Sequence, residues 1–150
     1  MPELDGDLLL VGARGYCAAG AEHGCENGLA YLYERNRGGP GNWGLVKRLE
    51  SDAAKKAEND SFGRQVFISG DLILVQGDDA SAFFEFGRDV GGADNWDLRQ
   101  KFTIPGSQAN SAFDGNRALV TSTKPTTSFL LQRQVAPDSW NIVARMGSAG

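Results

Sequence analysis

The chain has 150 residues, of which 41% are hydrophobic, and this is enough for one domain with a hydrophobic core. Its net charge is −4 and its basic residues are interspersed with acidic ones, so we expect no binding to a nucleic-acid backbone. No apolar run reaches the roughly 18 residues of a membrane-spanning helix, so no membrane insertion is expected. The first residues carry no signal-peptide pattern.

The first part of the chain predicts three short strands. They are an apolar run at 8–11 after the turn Asp5-Gly6-Asp7, an apolar run at 30–33 before Arg35, and an alternating segment at 45–49 after Trp43. Short β-branched and aromatic segments bounded by glycine, asparagine and aspartate are typical of strands joined by tight turns. Only four residues precede Asp5, so we expect this repeat to lack its first strand.

The same anchors recur twice further along the chain. The turns lie at 69–71 and 114–116, the apolar runs before arginine at 82–86 and 128–131, and the segments after tryptophan at 98–102 and 142–146. A fourth segment precedes the turn in both copies, at 61–68 and 106–113. Trp43, Trp96 and Trp140 are the only tryptophans, and all three occupy one repeat position. Four-stranded units of this length match one blade of a β-propeller.

We therefore predict an all-β fold, a single domain over 1–150 built from three four-stranded propeller blades, the first one incomplete. The blades are predicted at approximately 5–51, 61–104 and 106–147. The stretch 53–58 has helix formers without apolar periodicity, and we interpret it as a solvated loop with at most one helical turn. The alternative architecture is a β-sandwich in which the similarity of the repeats is accidental.

Three blades cannot close a ring, because propellers have about four to eight blades. An open set of blades would expose sheet edges and apolar faces. We expect the ring to be completed either by a second copy in a homo-oligomer or by further blades of a longer parent chain.

Two short motifs carry a family resemblance. Phe62-Gly63 stands before the second turn, and Gly12-Ala13-Arg14 directly follows the first strand. With these motifs the chain resembles the bacterial FG-GAP repeat family, whose folded members are similar to the integrin α-chain propeller; here arginine replaces the proline of "GAP". The third repeat departs from the pattern. The resemblance implies an extracellular or secreted protein with a role in adhesion, ligand binding or scaffolding, whereas the composition itself leaves the localisation unknown.

The longest predicted loop joins the first two strands and contains both cysteines. A Cys17–Cys25 disulfide would close a small loop and suits an oxidising compartment; the alternative is two free thiols. Zinc needs about four ligands, and these residues lack a familiar ligand spacing. Functional residues gather in long loops on rigid scaffolds. We therefore predict a binding loop with the following candidate contact residues: Tyr16, Glu22, His23 and Glu26.

Calcium is the cation that the family resemblance implies, because family members often bind it in aspartate-rich loops. The equivalent residues here are Asp78 and Asp79, which lack an alternating aspartate series. We predict no cofactor, with calcium at these two residues as the alternative to a simple turn-forming role.

The function predicted from these features is non-catalytic: a binding, adhesion or scaffold module that recognises a protein or a glycan through loops at a propeller face. One alternative is a lectin that stacks sugars on Trp43, Trp96 and Trp140, although packing between blades would place them equally well. The other alternative is a hydrolytic enzyme with a site on the ring axis. No pair of carboxylates stands out for such a reaction, so we predict that the chain is not an enzyme.

Overall fold

The computed structural model describes residues 2–14, 28–51, 61–77, 82–106, 108–123, 126–135 and 138–147. Within these ranges the regular structure is entirely β, arranged as three antiparallel four-stranded sheets. The predicted loop at 53–58 lies outside the described residues. No helix in the described part of the chain has the length and apolarity to cross a bilayer.

Each sheet is a simple meander of four consecutive strands. The first sheet contains β1 (Pro2–Asp5), β2 (Leu8–Ala13), β3 (Leu29–Arg35) and β4 (Trp43–Leu49). The second contains β5 (Val66–Ser69), β6 (Leu72–Gly77), β7 (Ala82–Arg88) and β8 (Trp96–Thr103). The third contains β9 (Gln108–Phe113), β10 (Arg117–Thr123), β11 (Thr126–Val135) and β12 (Asp138–Gly147).

The first sheet is complete, so the prediction that it lacks a strand is wrong. β1 pairs with β2 in the register Leu4↔Leu9 and Asp5↔Leu8. Four residues suffice because the connecting turn is only two residues long, and Gly6 there adopts a φ of 59°, which glycine tolerates well. Pro2 and the acidic residues of β1 gave no strand signal, because these residue types are rare in strands. Proline is tolerated here because it begins a strand at the edge of the sheet.

The second sheet lies between the other two, and its two central strands are buried on both faces. Every residue of β6 is buried, and so is every residue of β7 except its last, Arg88. One core cluster joins the second sheet to the first, and another joins it to the third. A strand covered on both sides needs apolar residues at every position, which explains the uninterrupted run at 72–75. Three stacked sheets also differ from the two layers of a sandwich.

The Phe-Gly and Gly-Ala motifs meet where the first sheet packs on the second. Phe62 is fully buried and lies edge-on to Phe84, with 5.3 Å between ring centroids. Gly63 has a φ of 85°, and a Cβ there would collide with the backbone of Leu29 and Ala13; a Cβ on Gly12 would collide with the Gly63 carbonyl. The two glycines therefore allow a backbone contact that larger residues would prevent.

Candidate functional site on the outer faces of the stack

An arginine and a tryptophan lie directly opposite each other in every sheet. The cross-strand pairs are Arg35↔Trp43, Arg88↔Trp96 and Arg133↔Trp140. The structure thus confirms that the three tryptophans occupy equivalent positions. Because residues opposite each other share one face of a sheet, each sheet has a tryptophan face and an opposite face.

Trp96 lies in the core between the first two sheets. It is 1% exposed, and the Arg88 guanidinium is 5.6 Å from the centre of its ring system. Trp96 lines a cleft together with Leu8 and Val46 of the first sheet. The tryptophan face of the second sheet therefore packs on the opposite face of the first sheet.

Trp140 has the same role between the second and third sheets. It is 9% exposed and stacks on Phe102 of the second sheet, with 5.4 Å between ring centroids. Its indole Nε1 donates a hydrogen bond of 2.6 Å to Glu85 Oε2. The tryptophan face of the third sheet thus packs on the opposite face of the second sheet. The second sheet packs on the first sheet in the same way.

Glu85 is fully buried and accepts hydrogen bonds from both sides of this second interface. Besides Trp140, Gln100 Nε2 donates to Oε2 at 3.0 Å, and Arg133 Nη2 donates to Oε1 at 3.2 Å. Arg99 forms an ion pair with the same oxygen at 3.7 Å. A buried carboxylate requires such compensation, and these four side chains provide it from both sheets of the interface. The isolated glutamate within the apolar run at 82–86 was a sequence signal that the predictions missed.

A polar cleft of about 310 Å³ lies beside this interface, between the turns of the second and third sheets. Its lining includes Arg99, Arg133, Asp71 and Asp114. Backbone hydrogen bonds from Asn116 and Arg117, together with the Arg117 side chain, lower the pKa of Asp114. These acidic and basic groups balance one another, and the Asp114 contacts are those of a turn-stabilising residue.

The tryptophan face of the first sheet, which we call the outer face of the first sheet, has neither of the two other described sheets against it. Trp43 is 39% exposed, although its two counterparts are buried. The apolar and aromatic residues of this face follow from the strand registers: Leu4, Leu9, Val11, Tyr31, Tyr33, Trp43 and Leu45. Their counterparts in the second sheet all lie in or against the first core: Ile68, Ile73, Val75, Phe84, Phe86, Trp96 and Leu98.

At the opposite end of the stack, no other sheet formed by the described residues packs on the outer face of the third sheet. Its apolar residues are Leu119, Leu130, Val143 and Met146. Their counterparts in the first sheet contact the second sheet: Leu10, Leu32, Val46 and Leu49. The same strand positions are therefore covered at one end of the chain and open at the other.

The most exposed large hydrophobic side chains of the described residues fall on these two faces alone. They are between 39% and 65% exposed, and three lie on each face: Leu4, Trp43 and Leu45 on the first sheet, Leu119, Val143 and Met146 on the third. Contiguous exposed apolar surface is typical of interaction sites. These two faces are the candidate functional site.

The residues predicted from the sequence have different outcomes. Those of the long loop and the calcium candidates lie outside the described residues: Tyr16, Cys17, Glu22, His23, Cys25, Glu26, Asp78 and Asp79. Trp96 and Trp140 are buried between sheets, so Trp43 alone of the three has a ring surface open to a ligand. No three histidine, cysteine, aspartate or glutamate residues in the described ranges are grouped closely enough to hold a metal ion.

No protein-family model matches the chain, and a search of curated proteins finds no similar sequence. The resemblance to FG-GAP repeats, with the extracellular context that it implies, stays a prediction from the sequence motifs.

Proposed function

We propose that the chain is a non-catalytic scaffold module that binds protein through the outer faces of its first and third sheets. The observation that carries this proposal is the position of the exposed apolar residues. Each of the two faces repeats a pattern that is covered by a neighbouring sheet elsewhere in the chain. Leaving such surface in water is unfavourable by about 25 cal/mol per Å², so a partner that covers it gains this free energy.

The chemistry of the faces favours a protein partner over a glycan. Leu4 and Leu45 contribute aliphatic surface, and Trp43, Tyr31 and Tyr33 add aromatic rings. Aromatic residues are enriched in protein interfaces, where a hydrophobic centre is surrounded by a polar rim. The face therefore offers burial of a broad apolar surface, which a second β-sheet face would satisfy.

Site-specific photo-crosslinking tests this proposal. A photoreactive phenylalanine analogue would replace Leu45 or Leu119, with the exposed loop residue Ala93 as the matched control position. On irradiation with added protein extract, we expect defined protein adducts at the first two positions and none at the third. The adduct at position 45 should disappear when Leu4→Glu places a charge on the same face. Identical adduct patterns at all three positions would contradict the proposal.

A further inference from the structure

The two interfaces inside the chain follow one packing rule. The tryptophan face of each sheet packs on the opposite face of the sheet that precedes it, as Trp96 and Trp140 show. By this rule, the tryptophan face of the first sheet, which contains Trp43, would pack on the opposite face of a sheet that precedes it. The outer face of the third sheet is an opposite face of this kind, and by the same rule the tryptophan face of a following sheet would pack on it. One chain therefore carries both halves of a further interface of the same kind.

The receiving half is matched residue by residue. Leu119 and Leu130 lie opposite each other in β10 and β11, as Leu10 and Leu32 do in β2 and β3. Leu10 and Leu32 are fully buried against the second sheet. Val143 and Val46 are likewise counterparts, since each is the extra residue at the bulge of its last strand. The outer face of the third sheet thus has the apolar pattern of a face that does receive a tryptophan.

The interface between the first and second sheets is the closer template for this contact. The strand registers show which residues of the other two sheets are equivalent to Glu85. Glu85 pairs with Leu74 in the second sheet, and the equivalent pairs are Leu32 with Leu10 in the first sheet and Leu130 with Leu119 in the third. A tryptophan that packs on the third sheet would lie against a leucine-containing face, as Trp96 shares one apolar cluster with Leu10 and Leu32 of the first sheet. An apolar contact is therefore expected, without a buried carboxylate.

From this match we propose that the outer face of the first sheet packs on the outer face of the third sheet of a second copy of the chain. This inference rests on the proposed function and names its partner. In a dimer the contact forms twice, once from each chain, and closes a ring of six sheets around a two-fold axis. A ring of six sheets is within the usual range for propellers, which close with about four to eight blades.

The size of the faces is adequate for a stable dimer. A four-stranded face that is about 19 Å wide and about 17 Å long has roughly 300 Å² of planar area. Each chain contributes two such faces, and the uneven side-chain surface adds to the planar value. The total area buried per chain therefore approaches the value for stable complexes, which is about 800 Å² per partner. Because β1 completes the first sheet, the second copy has to supply only a face and no strand.

Solution mass measured by light scattering on a size-exclusion column tests this assignment. The unsubstituted protein should have twice the 16.1 kDa mass of one chain. Leu45→Glu on the first sheet and Leu119→Glu on the third should each halve that mass, whereas the control Ala93→Glu should leave it unchanged. Both leucines are exposed within one chain, so circular dichroism should confirm that the variants remain folded; Leu4→Glu provides a second charge on the first face.

A mixture of the two variants tests the pairing of unlike faces. Leu119→Glu retains an intact first-sheet face and Leu45→Glu an intact third-sheet face, so the mixture should form a heterodimer through one remaining contact. A dimer of Leu119→Glu alone would show that like faces pair, and would overturn the proposal. A monomer of the unsubstituted protein would also overturn it, although adducts to a different protein in the crosslinking experiment would still support the proposed function.

Discussion

The substitution Glu85→Leu tests whether the buried carboxylate holds the second and third sheets together. It removes the acceptor for Trp140 and Gln100 and the negative charge beside Arg99 and Arg133. Removing one partner of a buried charged pair costs about 3–5 kcal/mol. The Arg99 and Arg133 side chains are 33% and 13% exposed, so water can partly replace the carboxylate, and we expect the free energy of unfolding to fall by about 3 kcal/mol.

Urea unfolding monitored by tryptophan fluorescence measures this loss. With a slope of about 2 kcal/mol per M, a loss of about 3 kcal/mol lowers the midpoint by about 1.5 M. The comparison requires one fixed protein concentration, because association would make the midpoint depend on concentration. Trp140→Phe, which keeps a ring but removes the donor, should lower the midpoint in the Glu85 protein and have much less effect after Glu85→Leu. Additive effects, or a midpoint that Glu85→Leu leaves unchanged, would refute the reasoning.

Three further predictions concern other parts of the stack. Gly63→Ala should lower the free energy of unfolding by more than Gly38→Ala in the same urea assay, because both glycines have a φ near 86° but only at Gly63 would the Cβ collide with neighbouring backbone; equal losses would show that the close packing is unimportant. The stability contributed by the Asp114 carboxylate is present above the usual pKa of an aspartate and is lost as pH falls through its lowered pKa, so Asp114→Ala should flatten the acid limb of melting temperature against pH. In the folded Leu119→Glu monomer, acrylamide should quench mainly Trp43, and Trp43→Phe should abolish the quenchable fraction, whereas strong quenching that survives this substitution would contradict the burial of the other two tryptophans.

The repeat and its strands were predictable because the relevant signals are local. The run at 72–75 is apolar at every position because its strand is buried on both faces, and the turn residues Gly6 and Gly70 mark the hairpins, each with positive φ. β1 was missed because its four residues carry no apolar alternation, and its place in the sheet depends on pairing with β2. The signal from one strand was too weak without knowledge of its neighbour.

The candidate site was only partly predictable, because the exposure of a residue depends on which sheet lies against it. The sequence placed Trp43, Trp96 and Trp140 in one repeat position, and the register confirms this placement. It did not distinguish the exposed tryptophan from the two buried ones, since all three have the same local pattern. Which face remains open follows from the order of the sheets in the stack.

The tyrosines of the outer face of the first sheet distinguish it from the equivalent covered faces. Tyr31 and Tyr33 occupy the positions where the second sheet has Phe84 and Phe86, which are buried. A face that is exposed to water before a partner covers it benefits from hydroxyl groups that remain hydrated, and tyrosine provides these without losing the ring area. We therefore expect Tyr31→Phe combined with Tyr33→Phe to reduce the solubility of the monomeric Leu119→Glu variant, measured as the protein concentration left after centrifugation. Unchanged solubility would indicate that these hydroxyls do not protect an open face.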